Sequence, residues 1–467
     1  MGKISDYIDF SGTPSSIINS LSQKSISVPS WDKLRKEYNP KEHEILKDFT
    51  NLRDRVRKDG SVDKSCRLSI GMERLLVRRM SEFMFSIPVK RVYHNTEDNK
   101  EKQSIAKAIE SIYSYSRIGS HNLKRSKDFF AGCEIMTLWY TVASPNSLYG
   151  FKTDFKIKCK TFSPKDGVKL YPFFDEYGDM LAMSFQYEVT IENETVIYYE
   201  TFTDTQHFKW KQGPSGWENV SEPDEVIIGK IPCVYMYRPE SIYEEVSDLR
   251  KEIEYTISKN SNVISYNSAP ILKVVGELIG EEKKSDDYRL FRMQQGGDVS
   301  YVSWNQSVQA VESHIREMKE LFWSITQMPD ISFSNMSKLG NIGYDARETL
   351  LTDAHLKVGD ESGNWIEFFE RETNVIKAFL KKMNPSWENL IDDVEVEHII
   401  TPFIQRNESA EIQKRITANG GKPVESQRES IQRLGLSSDP DATLKQIREE
   451  ESQTAQNSVT DIFESMN

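Results

Sequence analysis

At 467 residues the chain is long enough for about three domains. With 37% hydrophobic and 28% charged residues it is globular in composition, and a net charge of −12 excludes a surface that is basic throughout, the usual footprint of a tight duplex binder. Any contact with DNA is expected to be loose. Cys66, Cys133, Cys159 and Cys233 are widely spaced and form no CxxC pair, which argues against a zinc or redox motif and fits a reducing compartment. The first residues lack the apolar stretch of a signal peptide, and no apolar run approaches the roughly 20 residues of a membrane span.

The usual chemical signatures are missing. Gly229-Lys230 and Gly421-Lys422 are followed by Ile and Pro, so neither places the hydroxyl that a phosphate loop needs. His43-Glu44 begins like a zinc-protease motif, but position 47 is Lys. His314 and His355 fall on predicted helices with no ligand partner at helical spacing. No catalytic residue, metal site or cofactor is therefore expected. Active sites can assemble from distant positions, so the residues alone leave two other classes open: a metal-dependent DNA-processing enzyme built on paired carboxylates, and an assembly scaffold that uses long helices.

In chain order, residues 1–40 are rich in Ser, Pro and Asn without a sustained period and read as an extended arm. A helix is expected from Pro40 to Gly60. A second runs from Ser65 to Phe85, with Leu68, Met72, Leu75, Leu76, Met80 and Phe83 at helical spacing. A third covers Lys102–Tyr115 and a fourth ends before Gly132. Strands are expected at 135–142, 151–161, 167–174, 183–191 and 196–202, and around Phe208 and Trp210. The strand at 183–191 alternates Met183, Phe185, Tyr187, Val189 and Ile191 with polar residues, as a half-buried strand does. Helices beside an antiparallel meander define an α+β fold.

A long helix follows from Ser241 to Tyr266, with packing residues Val246, Leu249, Ile253 and Ile257. Short strands are expected at 271–275, 289–292 and 299–304, with an exposed loop at Glu281-Glu282-Lys283-Lys284. A second long helix starts near Ser307. Its apolar residues Val308, Val311, Ile315, Met318, Phe322 and Ile325 are spaced 3, 4, 3, 4, 3, the stripe of a helix lying along another. Residues 330–344 form a glycine-bearing loop. A third long helix spans Asp345–Lys382 and should bend at Gly359 and Gly363, because each glycine weakens a helix. A strand at 394–400 and three short helices, 408–419, 426–434 and 438–451, complete the chain.

This order resembles the portal proteins of tailed bacteriophages, especially the long-tailed type. Arg67-Leu-Ser-Ile-Gly-Met-Glu-Arg74 and Phe83-Met-Phe-Ser-Ile-Pro-Val89 look like the family's wing helix and the proline after it. Gly229-Lys-Ile-Pro-Cys-Val234 is similar to the entry into the stem, and Gly296-Gly-Asp-Val-Ser-Tyr-Val302 to the clip strand before the second stem helix. Met328-Pro-Asp-Ile331 with Gly340-Asn-Ile-Gly343 resembles the tunnel loop, and Ile404-Gln-Arg-Asn407 the entry to the crown.

The resemblance implies a division into arm (1–40), wing (41–240), stem helix (241–268), clip (269–306), second stem helix (307–329) and tunnel loop (330–345). A long bent wing helix (346–383), a return strand (384–406), the crown (407–452) and a tail (453–467) follow. It also implies a ring of twelve subunits at one capsid vertex, through which double-stranded DNA passes during packaging and ejection, with an acidic wall keeping the DNA centred. Ser334, Asn335, Ser337, Lys338, Asn341 and Tyr344 would supply the loop's contacts to DNA. Leu272, Lys273, Lys283, Lys284, Arg289, Arg292, Asp298 and Tyr301 of the clip would meet terminase and later the head–tail adaptor. Val246, Leu249, Ile253, Ile257, Val311, Ile315, Met318 and Phe322 would pack the stem. Major capsid and scaffolding proteins are further implied partners, and no membrane is.

Overall fold

The computed structural model describes residues 2–330, 349, 351–403, 417, 426–434 and 441–451, except 24–25, 98, 192–193, 268–270, 276–277, 286–287, 294–297 and 303–307. The chain divides into two units, Met1–Ile342 with Thr349–Phe403, and Gly343–Glu348 with Ile404–Asn467.

The N-terminal forty residues are not simply extended. Helices α1 (Pro14–Leu21) and α2 (Trp31–Tyr38) form within them. Thr13 caps α1 by accepting from the Ser16 amide, and Pro14 sits in the first turn, where a missing N–H costs nothing. Two turns are too short to show a period, yet they bury Ile17, Ile18 and Leu21. The expected helix at 40–60 is also replaced. Two 3-10 turns, Pro40–Glu42 and Glu44–Lys47, precede a hairpin of β1 (Arg55–Val56) and β2 (Val62–Asp63). Gly60 takes φ +82° in its turn. The helix is lost because His43 is drawn into the core, its ring bonded to Glu254 at 2.6 Å and to the Glu37 carbonyl at 2.8 Å.

Helix α3 (Met72–Phe85) starts seven residues later than its apolar spacing predicts. Residues 65–70 instead lie along a later helix. The amides of Cys66, Leu68 and Ile70 donate to Asn262 Oδ1, Ser258 Oγ and Glu254 Oε1 at 2.6, 2.8 and 2.6 Å. Alternate residues of an extended segment thus meet every fourth residue of a helix. We expect Ser258→Val with Asn262→Leu to cost about 1–3 kcal/mol, the penalty of leaving these amides unpaired. A shift in denaturant midpoint would show it; an unchanged midpoint would mean that water replaces the acceptors.

Strand β3 (Lys90–His94) leads to α4 (Lys100–Tyr115) and α5 (Ile118–Gly132). Strands β4 (Glu134–Asn146), β5 (Thr153–Phe162), β6 (Lys169–Phe174), β7 (Met180–Ile191), β8 (Glu194–Phe202), β9 (Gln206–Gly213), β10 (Gly216–Asn219), β11 (Asp224–Glu225) and β12 (Cys233–Tyr237) follow. One antiparallel sheet has the order β10-β9-β8-β7-β6, with β11 on β9, and a second has the order β12-β4-β5. The half-buried reading of β7 holds only for its second half. In its first half Ala182 packs under α1 with Tyr199, Phe208 and Trp210, while Met183 and Phe185 face a separate cluster with Met136, Phe162 and Tyr235. The arm covers the face that would otherwise meet solvent.

Helix α6 (Ser247–Asn267) follows a 3-10 turn at Glu244–Val246. Strands β13 (Ile271–Val275), β14 (Leu278–Ser285), β15 (Tyr288–Met293) and β16 (Asp298–Val302) form two antiparallel pairs, β13 with β16 and β14 with β15. Residues 281–284 therefore lie on a strand and not in a loop, because Glu281, Glu282 and Lys283 pair with Phe291, Leu290 and Arg289. Helix α7 (Val308–Ile325) comes next, then α8 (Thr352–Met383), which is a single 32-residue helix through both glycines. Strand β17 (Glu395–Ile399) returns to pair with β3. The fold is α+β. The main core gathers around Trp139, Trp365, Phe129, Phe130 and Phe369.

In the second unit, α9 (Gln427–Leu434) and the helical residues 441–451 are described, and Arg428 binds Asp441 at 2.5 and 3.0 Å. The helix expected at 408–419 lies outside the described residues, apart from Thr417.

Burial also sets an acid limit. His398 on β17 is held neutral down to about 4 by burial and by the charges of Arg91 and Arg125. Its folded pKa lies below the unfolded value, so the unfolded state takes up the proton first. Stability is full above pH 6.5 and falls as pH drops from 6.5 toward 4, by about 3 kcal/mol from this residue. His398→Gln should flatten that part of the pH–Tm curve, and an unchanged curve would contradict the assignment.

Candidate functional site

Helices α6 and α7 pack side by side. His314 Nε2 lies 3.7 Å from Glu252, while Ile325 shares a small cavity with Ile242, Glu245 and Val246. Residue numbers rise along α7 as they fall along α6, so the two helices are antiparallel. The pairing of β13 with β16, Ile271 opposite Val302, closes the connection between them.

Of the sequence-predicted packing residues, Val246, Ile253 and Phe322 are buried in the main core, and Leu249, Ile257 and Met318 are partly buried against it. Val311 and Ile315 are half-exposed. Ile325 of the same stripe is exposed, and so are Leu321 and Ile264. In the strands, Leu272 pairs with Tyr301, Lys273 with Ser300, Lys283 with Arg289, and Glu282 and Gly280 with Leu290 and Arg292. Asp298 lies opposite Val275, and the Lys273 and Asp298 side chains are exposed. Lys284 falls on β14 at a register irregularity between Lys283 and Ser285. Ser334, Asn335, Ser337, Lys338, Asn341 and Tyr344 lie outside the described residues.

The root of α6 carries a buried ionic cluster that sequence reasoning missed. Arg250 donates to Glu73 of α3 at 2.6 Å and to Glu254, one turn on, at 2.8 Å. Glu254 also receives His43 and the Ile70 amide. Burial works against the Glu254 carboxylate, but these donors hold its pKa below the usual range. Burial dominates at Glu73 and pushes its pKa up in spite of Arg250. The available signal was the pair Arg250 and Glu254 at i, i+4 beside the apolar Leu249, Ile253 and Ile257. Charges on that face are buried and must be paired. At the C-terminal end of α7, beside the root of α6, the Arg79 guanidinium donates to the Pro329 carbonyl at 2.7 Å and sits over the Trp323 ring. Helix α6 and the residues after α7 are thus both fixed to α3.

Among the described residues no group of His, Cys, Asp or Glu could hold a metal ion, and no helix is long and apolar enough to cross a membrane.

The model of a family described as "Phage portal protein, SPP1 Gp6-like" matches residues 21–457. That span takes in both antiparallel helices and the strands between them, and places the chain among the phage portal proteins. Within them, it belongs to the SPP1 Gp6-like family. No curated protein matches the chain. Two solved structures are similar to it: "Neck of empty GTA particle computed with C6 symmetry", 8% identical over 91% of this chain and 100% of the other with a TM-score of 0.37, and "Virion of native gene transfer agent (GTA) particle", 9% identical over 91% and 99% with a TM-score of 0.38. Scores below 0.5 do not establish a shared fold, and the family rests on the sequence match.

Proposed function

We propose that this portal protein forms a ring of twelve subunits at one capsid vertex, through which double-stranded DNA is packaged, retained and later ejected. The match to the portal family over residues 21–457 carries this reading. A head-to-tail contact closes into a ring when its rotation allows. Exposed Ile264, Leu321 and Ile325 on the paired helices suit burial between neighbouring subunits. Each fully buried side chain of that size contributes about 1.5–3 kcal/mol. Leu321→Asp is therefore expected to weaken the ring while leaving the subunit folded. Sedimentation at falling concentration reads this, and a ring as durable as the wild type would place Leu321 elsewhere.

Duplex DNA carries about one negative charge per 1.7 Å of axis. A wall with Asp, Glu and polar side chains keeps it centred and free to slide. Glu252 on α6 and Glu312, Glu317 and Glu320 on α7 are exposed and available for that wall. The loop around Ser334, Asn335, Ser337, Lys338, Asn341 and Tyr344 would make the few direct contacts. The strands at 271–302 would dock terminase during filling and the head–tail adaptor afterwards, with the chain located in the virion after assembly beside capsid and scaffolding proteins. A phage whose gene for this protein carries an early stop codon should make heads without DNA. Heads filled normally in its absence would overturn the reading. Lys338→Ala should change the length or retention of packaged DNA, and unchanged values would remove Lys338 from the contact.

A further inference from the structure

The charge of this chain is unevenly placed. Residues 117–169 hold ten lysines and arginines against four acids, in a protein whose net charge is −12. Two of those acids are already used: Asp128 binds Lys165 at 2.8 Å, and Glu134 is buried and accepts from the Tyr235 hydroxyl at 2.7 Å.

Strand β5 concentrates the excess. It lies at the edge of its sheet, with β4 on one side only. Lys156, Lys158 and Lys160 alternate along it and so share one face, while Ile157 between them is buried in the core. Two residues of strand advance about 6.8 Å, so the Cα atoms of the three lysines span about 14 Å. Opposite them on β4 stand Val142, Tyr140 and Leu138, and no acid interrupts the row. Lys160 also borders a cleft of about 620 Å³ lined by His121, Lys124 and Arg125 and by Asp128, Asp166 and Glu188. Among the described residues, Lys124, Lys156, Lys158 and Lys160 have no carboxylate within ion-pair distance; Lys156 and Lys160 rest over the rings of Tyr115 and Phe162. Burial, and after it the charges of Arg125 and Lys124, hold the His121 pKa below its usual value.

We propose that this face of β5 is a second DNA-binding surface that grips the duplex backbone without reading sequence, separate from the two long helices. Unpaired cations in a row, on a protein otherwise acidic, complement a polyanion. Phosphate contacts of this kind fix position and carry no sequence information. The inference rests on the portal reading for the source of the duplex.

Covalently closed circular DNA tests it, because a circle cannot thread a closed ring and can bind only to the outside. Assembled protein is titrated into labelled circular duplex from 50 to 200 mM salt, beside the Lys156→Gln/Lys158→Gln/Lys160→Gln variant. The ring mass of both samples is measured in parallel. The wild type should bind, and the variant should form the same ring with at least tenfold weaker binding and a log–log salt slope smaller by about 2.7, the share of three phosphates. Equal binding and equal slope would overturn the proposal and leave the portal reading standing. A variant that loses its ring but keeps circular-DNA binding would also overturn it, showing that the row meets a neighbouring subunit. Failure of the wild type both to form a ring and to bind circles would remove the inference together with the reading beneath it.

Discussion

Arg250→Ala is expected to destabilise the protein by about 3–5 kcal/mol, the cost of leaving buried carboxylates without their counter-charge. The guanidinium is almost wholly enclosed and serves two acids at once, Glu73 at 2.6 Å and Glu254 at 2.8 Å. Among the described residues one Glu73 oxygen already has no hydrogen-bond partner. The loss should depend on pH. Burial has raised the Glu73 pKa, and removing Arg250 raises it further. The folded variant then binds a proton more readily than the unfolded chain, so its deficit shrinks as pH falls from 8 toward 5. Arg250→Lys keeps the charge but loses the two-pronged geometry, and should fall between variant and wild type. Denaturant unfolding at the two pH values measures this. A deficit under 1 kcal/mol at pH 8 would mean that the cluster relaxes or admits water. The same change should loosen α6 from α3, because Glu73 is the α3 side of that joint.

Glu372→Ala should be as costly, again about 3–5 kcal/mol, for the same reason at the centre of the main core. Glu372 on α8 accepts both Arg125 Nη atoms of α5 at 2.7 and 2.8 Å, and Trp139 Nε1 of β4 at 3.0 Å. The consecutive elements α5 and β4 meet the distant α8 on one carboxylate. Its loss strands Arg125 beneath the Phe368 and Phe369 rings. Replacing the pair together, as Arg125→Met with Glu372→Leu, removes the stranded charge and should recover most of the loss. Thermal unfolding of the single and double variants tests the coupling; additive losses would show that the pair acts independently.

These two clusters mark what could be read from the sequence and what could not. The long helices were legible because apolar residues repeat at 3 and 4 over many turns, as at Val311, Ile315, Met318 and Phe322. The meander from β6 to β9 was legible because alternation and turn residues agree. The N-terminal helices were not, since two turns carry too few residues to show a period and α1 forms to cover β7, β8 and β9. The stretch at 40–60 failed for a tertiary reason: His43 leaves the surface to reach Glu254, more than two hundred residues away. Residues 65–70 have a helical apolar pattern, but acceptors on α6 hold their amides in an extended line. Strand β14 was hidden by Glu281-Glu282-Lys283-Lys284, a run that reads as solvent loop until its partner 289–292 is known. Except for β14, whose partner is the next strand, the deciding partner lay far along the chain.

The mass of the purified protein in solution, with negative-stain images of the same sample, tests the central claim most directly. A closed ring of about twelve copies around an open channel is what the portal reading predicts. A small closed oligomer without a channel, stable at high concentration, would contradict it.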